Sequence, residues 1–180
     1  MKTTLATVLM AGVAVAGLTA LQKTTAIHPG MGGSPHVRTD WAVAGATISI
    51  EYGRPYLKGR SIERQLVPAG RVWRAGADQA TTLKSDKTLR FGSLSVPAGT
   101  YTLFVMPSAD KWQLIVNKQT GQWGTEYTQS QDLGRVDMKL ETLSSPVEQH
   151  TFAIAPQGKG GVLSIEWGTV KASVPFDVVQ

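Results

Sequence analysis

Apolar and polar residues alternate along much of the chain. Ala46, Ile48, Ile50 and Tyr52 oppose Thr47, Ser49 and Glu51, and Val136, Met138 and Leu140 oppose Asp137, Lys139 and Glu141. The last segment is the most regular: Val170, Ala172, Val174, Phe176 and Val178 oppose Lys171, Ser173, Pro175 and Asp177. A period of two puts one set on each face of a pleated strand, so each segment reads as half-buried β-structure. Pro175 has no amide hydrogen, which places its strand at an edge or gives it a bulge there. Further strands are expected over residues 37–43, 80–85, 88–91, 100–106, 112–117, 147–155 and 162–167. Ala44-Gly45 and Gly168-Thr169 read as tight hairpin turns, residues 107–110 as a longer turn, and residues 156–161 as a loop. Short strands at hairpin spacing imply an all-β fold, an antiparallel β-sandwich with jelly-roll-like or barrel-like variants open. One or two short helical turns are expected, over residues 61–67 and 125–132.

The N-terminus breaks this pattern. Lys2 precedes an apolar run from about Leu5 to Leu21, with small residues at Ala20 and Ala26. That is the layout of a secretory signal helix cleaved after one of those alanines. The expected division is a signal peptide over 1–26 and a single β-sandwich domain over 27–180, exported to the periplasm or the extracellular space. The run is near the lower limit for spanning a bilayer, roughly 17 to 25 residues, so an uncleaved N-terminal anchor is the alternative. After cleavage no membrane span is expected.

Charge and composition narrow the function classes. Without residues 1–26 the chain has 16 cations against 13 acids, a net of +3. So modest an excess, with no nucleic-acid-binding motif, argues against a nucleic-acid partner. There is no cysteine, which excludes disulfides, thiol catalysis and cysteine metal sites. No zinc-binding helix motif, nucleophile elbow or phosphate loop is present, so neither a metal nor a cofactor is expected.

The stretch from Glu51 to Leu83 stands apart. Six cations, five of them arginine, face three acids there, a local excess of +3, with Tyr52, Tyr56 and Trp73 close by in sequence. A guanidinium offers a planar fork of donors to carboxylates, phosphates and sulfates, and stacks on aromatic rings. Frequent glycine and proline put these groups on loops, where binding sites concentrate. Arg54, Tyr56, Arg60, Arg71, Trp73 and Arg74 are the candidate binding residues, with His36, Glu51 and Asp78 as secondary candidates. The structural alternative is a set of surface salt bridges closing one end of the sheet, with Trp73 as a plug beneath it. Trp41, Trp112 and Trp167 share the apolar parity of their strands and read as core; Trp123 lies on a glycine-flanked loop. His150 has the inward parity of Phe152 and Ile154, and reads as a hydrogen-bonded core histidine.

Several phrases carry a family resemblance: SPHV from Ser34, IEYGRPYLKGR from Ile50, LVPAGRVWRAGADQATTL from Leu66, VPAGTYTLF from Val96 and NKQTGQWGTEY from Asn117. In this order they resemble the bacterial domain-of-unknown-function 2911 family over roughly Ser34 to Val178. The resemblance implies an exported or envelope domain and assigns no catalytic residue. Ala69 departs from the pattern, in which an aromatic often follows the preceding proline.

The leading expectation is a non-catalytic binding or accessory module for an anionic small molecule or an acidic glycan. The first alternative is an exported hydrolase or isomerase that uses His36 or Glu51 for proton transfer beside an arginine clamp. The second is a structural envelope interaction domain.

Overall fold

The alternating segments fold as their period demands. The structure is a computed structural model that describes residues 21–67 and 69–180. Its ten strands are β1 (Leu21–His28), β2 (His36–Val43), β3 (Ala46–Gly53), β4 (Thr82–Ser85), β5 (Thr88–Phe91), β6 (Leu94–Val96), β7 (Gly99–Pro107), β8 (Trp112–Asn117), β9 (Asp132–Gln157) and β10 (Gly160–Val179). All pair antiparallel in one sheet of order β1-β2-β3-β4-β7-β8-β9-β10-β5-β6. The order ends in two edges, β1 and β6, so the sheet is not a closed barrel.

Two layers arise because the longest strands bend. Where the sequence suggested separate strands with a hairpin turn at Gly168-Thr169, β10 runs through as one strand of 20 residues. Its partner β9 likewise joins the two expected strands 136–140 and 147–155 into one of 26 residues. Gly168 is a bulge: the register slips on both sides of it, and its φ of 56° falls in the left-handed region. A hairpin turn and a bulge both draw on that conformation, so the local sequence does not separate them. Beyond the bulge the hairpin doubles back until the Val178 amide donates to the Lys159 carbonyl at 2.9 Å, so the end of β10 meets its own beginning. Pro175 falls between Ser173, registered with β9, and Asp177, registered with β5, where its missing donor costs no ladder bond.

The core lies between the layers. Ile48, Ile50 and Tyr52 of β3 are buried, as are Val174, Phe176 and Val178 of β10, while Thr47 and Glu51 on the opposite face are exposed. Trp41, Trp73, Trp112 and Trp167 all belong to this core. Across the layers, the Tyr52 hydroxyl accepts from the Phe152 amide at 3.1 Å.

Helix is almost absent. A single π-helical turn, Ile62–Leu66, forms within the expected stretch, capped by the Ser61 hydroxyl accepting from the Arg64 amide. Between 125 and 132 only the 3-10 turn Gln129–Gln131 appears, since the segment has no apolar face to bury. Among the described residues no helix is long and apolar enough to cross a membrane.

Most of the expected signal segment, residues 1–20, lies outside the described residues. Its end, Leu21 to Ala26, pairs with Ala42 to Val37 as part of β1. A boundary at residue 26 therefore falls inside an edge strand: cleavage after Ala20 keeps β1 whole, and cleavage after Ala26 leaves only Ile27 and His28 of it.

Candidate functional site

The arginine-rich stretch becomes a cleft because it cannot stay in register with β7. The chain follows the β7 edge at two places. Trp73 exchanges two backbone hydrogen bonds with Val105, at 2.7 and 2.8 Å, and Thr81 accepts from the Leu103 amide at 2.8 Å before β4 begins. Residues 74–80 face a single β7 residue between these points, so the surplus arches away from β7 and is mostly buried. Ala75 and Asp78 turn the arch with φ of 50° and 60°, and the Thr81 hydroxyl ties it down by donating to the Ala75 carbonyl at 3.0 Å.

Two glycines let the arch lie against the sheet. A Cβ on Gly53 would stand 2.7 Å from His36 Nε2 and 3.0 Å from the Ala77 carbonyl carbon, and one on Gly76 would stand 2.8 Å from Thr81 Oγ1. Any side chain at either position would lift the arch off the end of β3.

The arch closes one side of a cleft of about 560 Å³. Arg60, Arg71, Arg74 and Asp78 bring charge to its lining; Trp73, Phe104, Tyr127 and Trp167 bring aromatic surface; Met31, Gly32 and Ser34 come from the segment joining β1 to β2. The three arginines are free of acids: no carboxylate of the described residues pairs with any of them. Arg60 is braced by backbone carbonyls, Nε donating to Leu57 at 2.9 Å and Nη2 to Tyr56 at 2.7 Å. Arg74 Nε donates to the Gly76 carbonyl at 3.2 Å. Its stem passes over Gly124, where a Cβ would come within 2.7 Å of Arg74 Cδ and 2.6 Å of the Asp78 carbonyl oxygen. Arg71 is exposed and reaches the cleft mouth. The salt-bridge alternative does not describe these three residues.

Trp73 forms the cleft floor and offers little open surface. It is 9% exposed and wedged against Trp112, Trp167 and His150, with ring centroids 6.0, 6.1 and 5.2 Å away.

Asp78 is the acid of the cleft, and its Oδ2 is in use. It accepts from the Met31 amide at 2.7 Å and lies 3.4 Å from His36 Nε2. That second contact leaves the buried Nε2 without an aligned hydrogen bond. His36 in turn stacks on His28, centroids 4.2 Å apart at 18°. Burial, and then His28, push the His36 pKa below its usual value, with Asp78 opposing them.

The other candidates fall outside the lining. Arg54 turns away and clamps β9, Nε donating to the His150 carbonyl at 3.0 Å and Nη2 to Thr151 Oγ1 at 2.8 Å. Tyr56 bridges to Gln149 on the same strand, and its ring is partly exposed beside the cleft. Glu51 sits on the outer face of β3 between Arg38 and Thr82, and His36 reaches the cleft only through Asp78. Among the described residues no group of three His, Asp or Glu is placed to hold a metal ion.

Three features of the site were not read from the sequence. The strap Gly30–Ser34 supplies one wall, and the glycines at 30, 32 and 33 were its readable signal. Tyr127 is held by donating to Asp132 at 2.7 Å and accepting from Arg135 at 2.7 Å, and burial followed by the Asp132 hydrogen bond raises its pKa. His150 is buried as expected, but neither ring nitrogen has a hydrogen-bond partner, in contrast to the hydrogen-bonded core histidine expected there. Tyr52, Trp73, Phe152 and Trp167 box it in edge to face, so its nitrogens meet ring surfaces, at best weak acceptors, in place of a carbonyl or carboxylate.

The fold and site define an antiparallel β-sheet protein with a cationic, aromatic-floored cleft beside the β7 edge. Residues 34–176 match the family model described as protein of unknown function (DUF2911), and the chain belongs to that family. No curated protein and no solved structure matches it.

Proposed function

We propose that this chain is an exported binding domain whose cleft captures an anionic ligand. The observation that carries the reading is the set of three guanidinium groups, Arg60, Arg71 and Arg74, that line one cleft with no carboxylate of the described residues paired to them. Two of the three are braced by backbone carbonyls, so less side-chain freedom is lost when an anion arrives. Export rests on the charged start and apolar run at the N-terminus, and is tested by sequencing the N-terminus of the protein recovered from outside the cytoplasm.

The enzyme alternative finds less support. Glu51 is on the wrong face, and His36 is covered and aimed at Asp78. The binding reading is tested by thermal unfolding with sulfate, phosphate and carboxylate ligands, since a ligand of the native state raises the melting temperature. Wild type should be stabilised in a salt-sensitive way. Arg74→Ala should lose most of that shift and Arg74→Lys recover only part of it, because an ammonium lacks the planar fork. Equal shifts in all three proteins would remove Arg74 from the site.

A further inference from the structure

We infer that the ligand is a polyhydroxylated dianion, of the sugar-diacid or oligouronate kind, and that Asp78 selects its hydroxyl groups. This rests on the anion-binding reading and adds what the acid in the cleft is for.

The Arg74 stem and the Asp78 backbone carbonyl both lie against Gly124, and the two side chains line one cleft without forming an ion pair. Opposite charges in one lining that are not spent on each other present two different surfaces to a ligand. The arginines take an anion. The Asp78 side chain is only 10% exposed; its Oδ2 is held by the Met31 amide and approached by His36, whereas no hydrogen bond of the described residues reaches Oδ1. A carboxylate oxygen in that position accepts only, so the ligand atom opposite it must donate.

The charge count limits what that donor is. Three arginines against one aspartate leave the lining with an excess of +2, which disfavours an ammonium and favours two negative charges. An anion without donors meets the like charge of Asp78 unrelieved. A hydroxylated one relieves it by hydrogen bonding. Trp73 shows too little of its face for recognition to rest on ring stacking, so specificity falls to the polar groups.

Galactarate and adipate have the same six-carbon diacid chain and differ only in four hydroxyls, so they isolate the claim. Calorimetry on the mature protein should show galactarate binding about tenfold or more tightly than adipate. Asp78→Gly, which suits the φ of 60° there and leaves neither acceptor nor donor for a hydroxyl, should collapse that ratio without weakening adipate. Equal affinities in wild type would overturn the hydroxylated-ligand inference and leave the anion reading standing. A ratio unchanged in Asp78→Gly would overturn the role of Asp78. Failure of both diacids, and of sulfate and phosphate, would overturn the cleft as an anion site altogether. A digalacturonate arm, also a dianion, separates the sources: tighter binding than galactarate points to a polysaccharide, and weaker binding to a free sugar acid.

Discussion

His150 stands edge-on to Trp73, ring centroids 5.2 Å apart at 87°, and neither of its nitrogens is hydrogen bonded. Burial, with a smaller push from Arg54, lowers its pKa from 6.5 to about 3. The unfolded chain binds this proton below pH 6.5 and the folded chain does not, so stability is complete above 6.5 and falls as the pH drops towards 3. At 1.36 kcal/mol for each pKa unit the full loss is roughly 4 to 5 kcal/mol. Denaturant unfolding at pH 7, 5.5 and 4.5 should show this decline in wild type and a much shallower one in His150→Phe. His36, also lowered by burial, adds a smaller effect of the same sign.

Arg54 and Arg71 should separate cleanly. Arg54→Ala removes the donors to the His150 carbonyl and Thr151 Oγ1, and should cost about 1 to 3 kcal/mol of stability with ligand affinity kept. Arg71 is exposed and unpaired among the described residues, so Arg71→Ala should leave stability within about 0.5 kcal/mol and weaken anion binding. Unfolding curves and titrations on the two variants check both halves; the reverse pattern would exchange their roles.

Gly124→Ala places a methyl group against the Asp78 carbonyl and the Arg74 stem. A loss of about 1 to 3 kcal/mol is expected, together with weaker anion binding as Arg74 is displaced. Affinity unchanged in a destabilised variant would show that the stem position does not matter for binding.

Trp73→Ala tests floor against platform. As a wedge between Trp112, Trp167 and His150, its loss should cost about 3 to 5 kcal/mol, read as a lower unfolding midpoint without ligand. A stacking platform in solvent would cost far less.

The strands were legible because their pattern is local. Alternation in residues 46–52 and 170–178 reports which side of each strand is dry, and the structure buries those sides. The union of β9 and of β10 into long bent strands was not legible, since Gly168 looks the same whether the chain turns at it or bulges through it. At the site, the cluster of arginines and Trp73 was visible as composition alone.

Periodicity, charge and the absence of cysteine determined an all-β chain stabilised without cross-links, with its guanidinium groups concentrated in one stretch. Only the tertiary structure decided how they divide. Arg60, Arg71 and Arg74 line the cleft while Arg54 is spent on β9. Asp78 is placed by an arch that exists because Trp73 and Thr81 both bind β7 with surplus chain between them. Such placements depend on register and on contacts between residues far apart in sequence, and neither is encoded in the pattern of any single stretch.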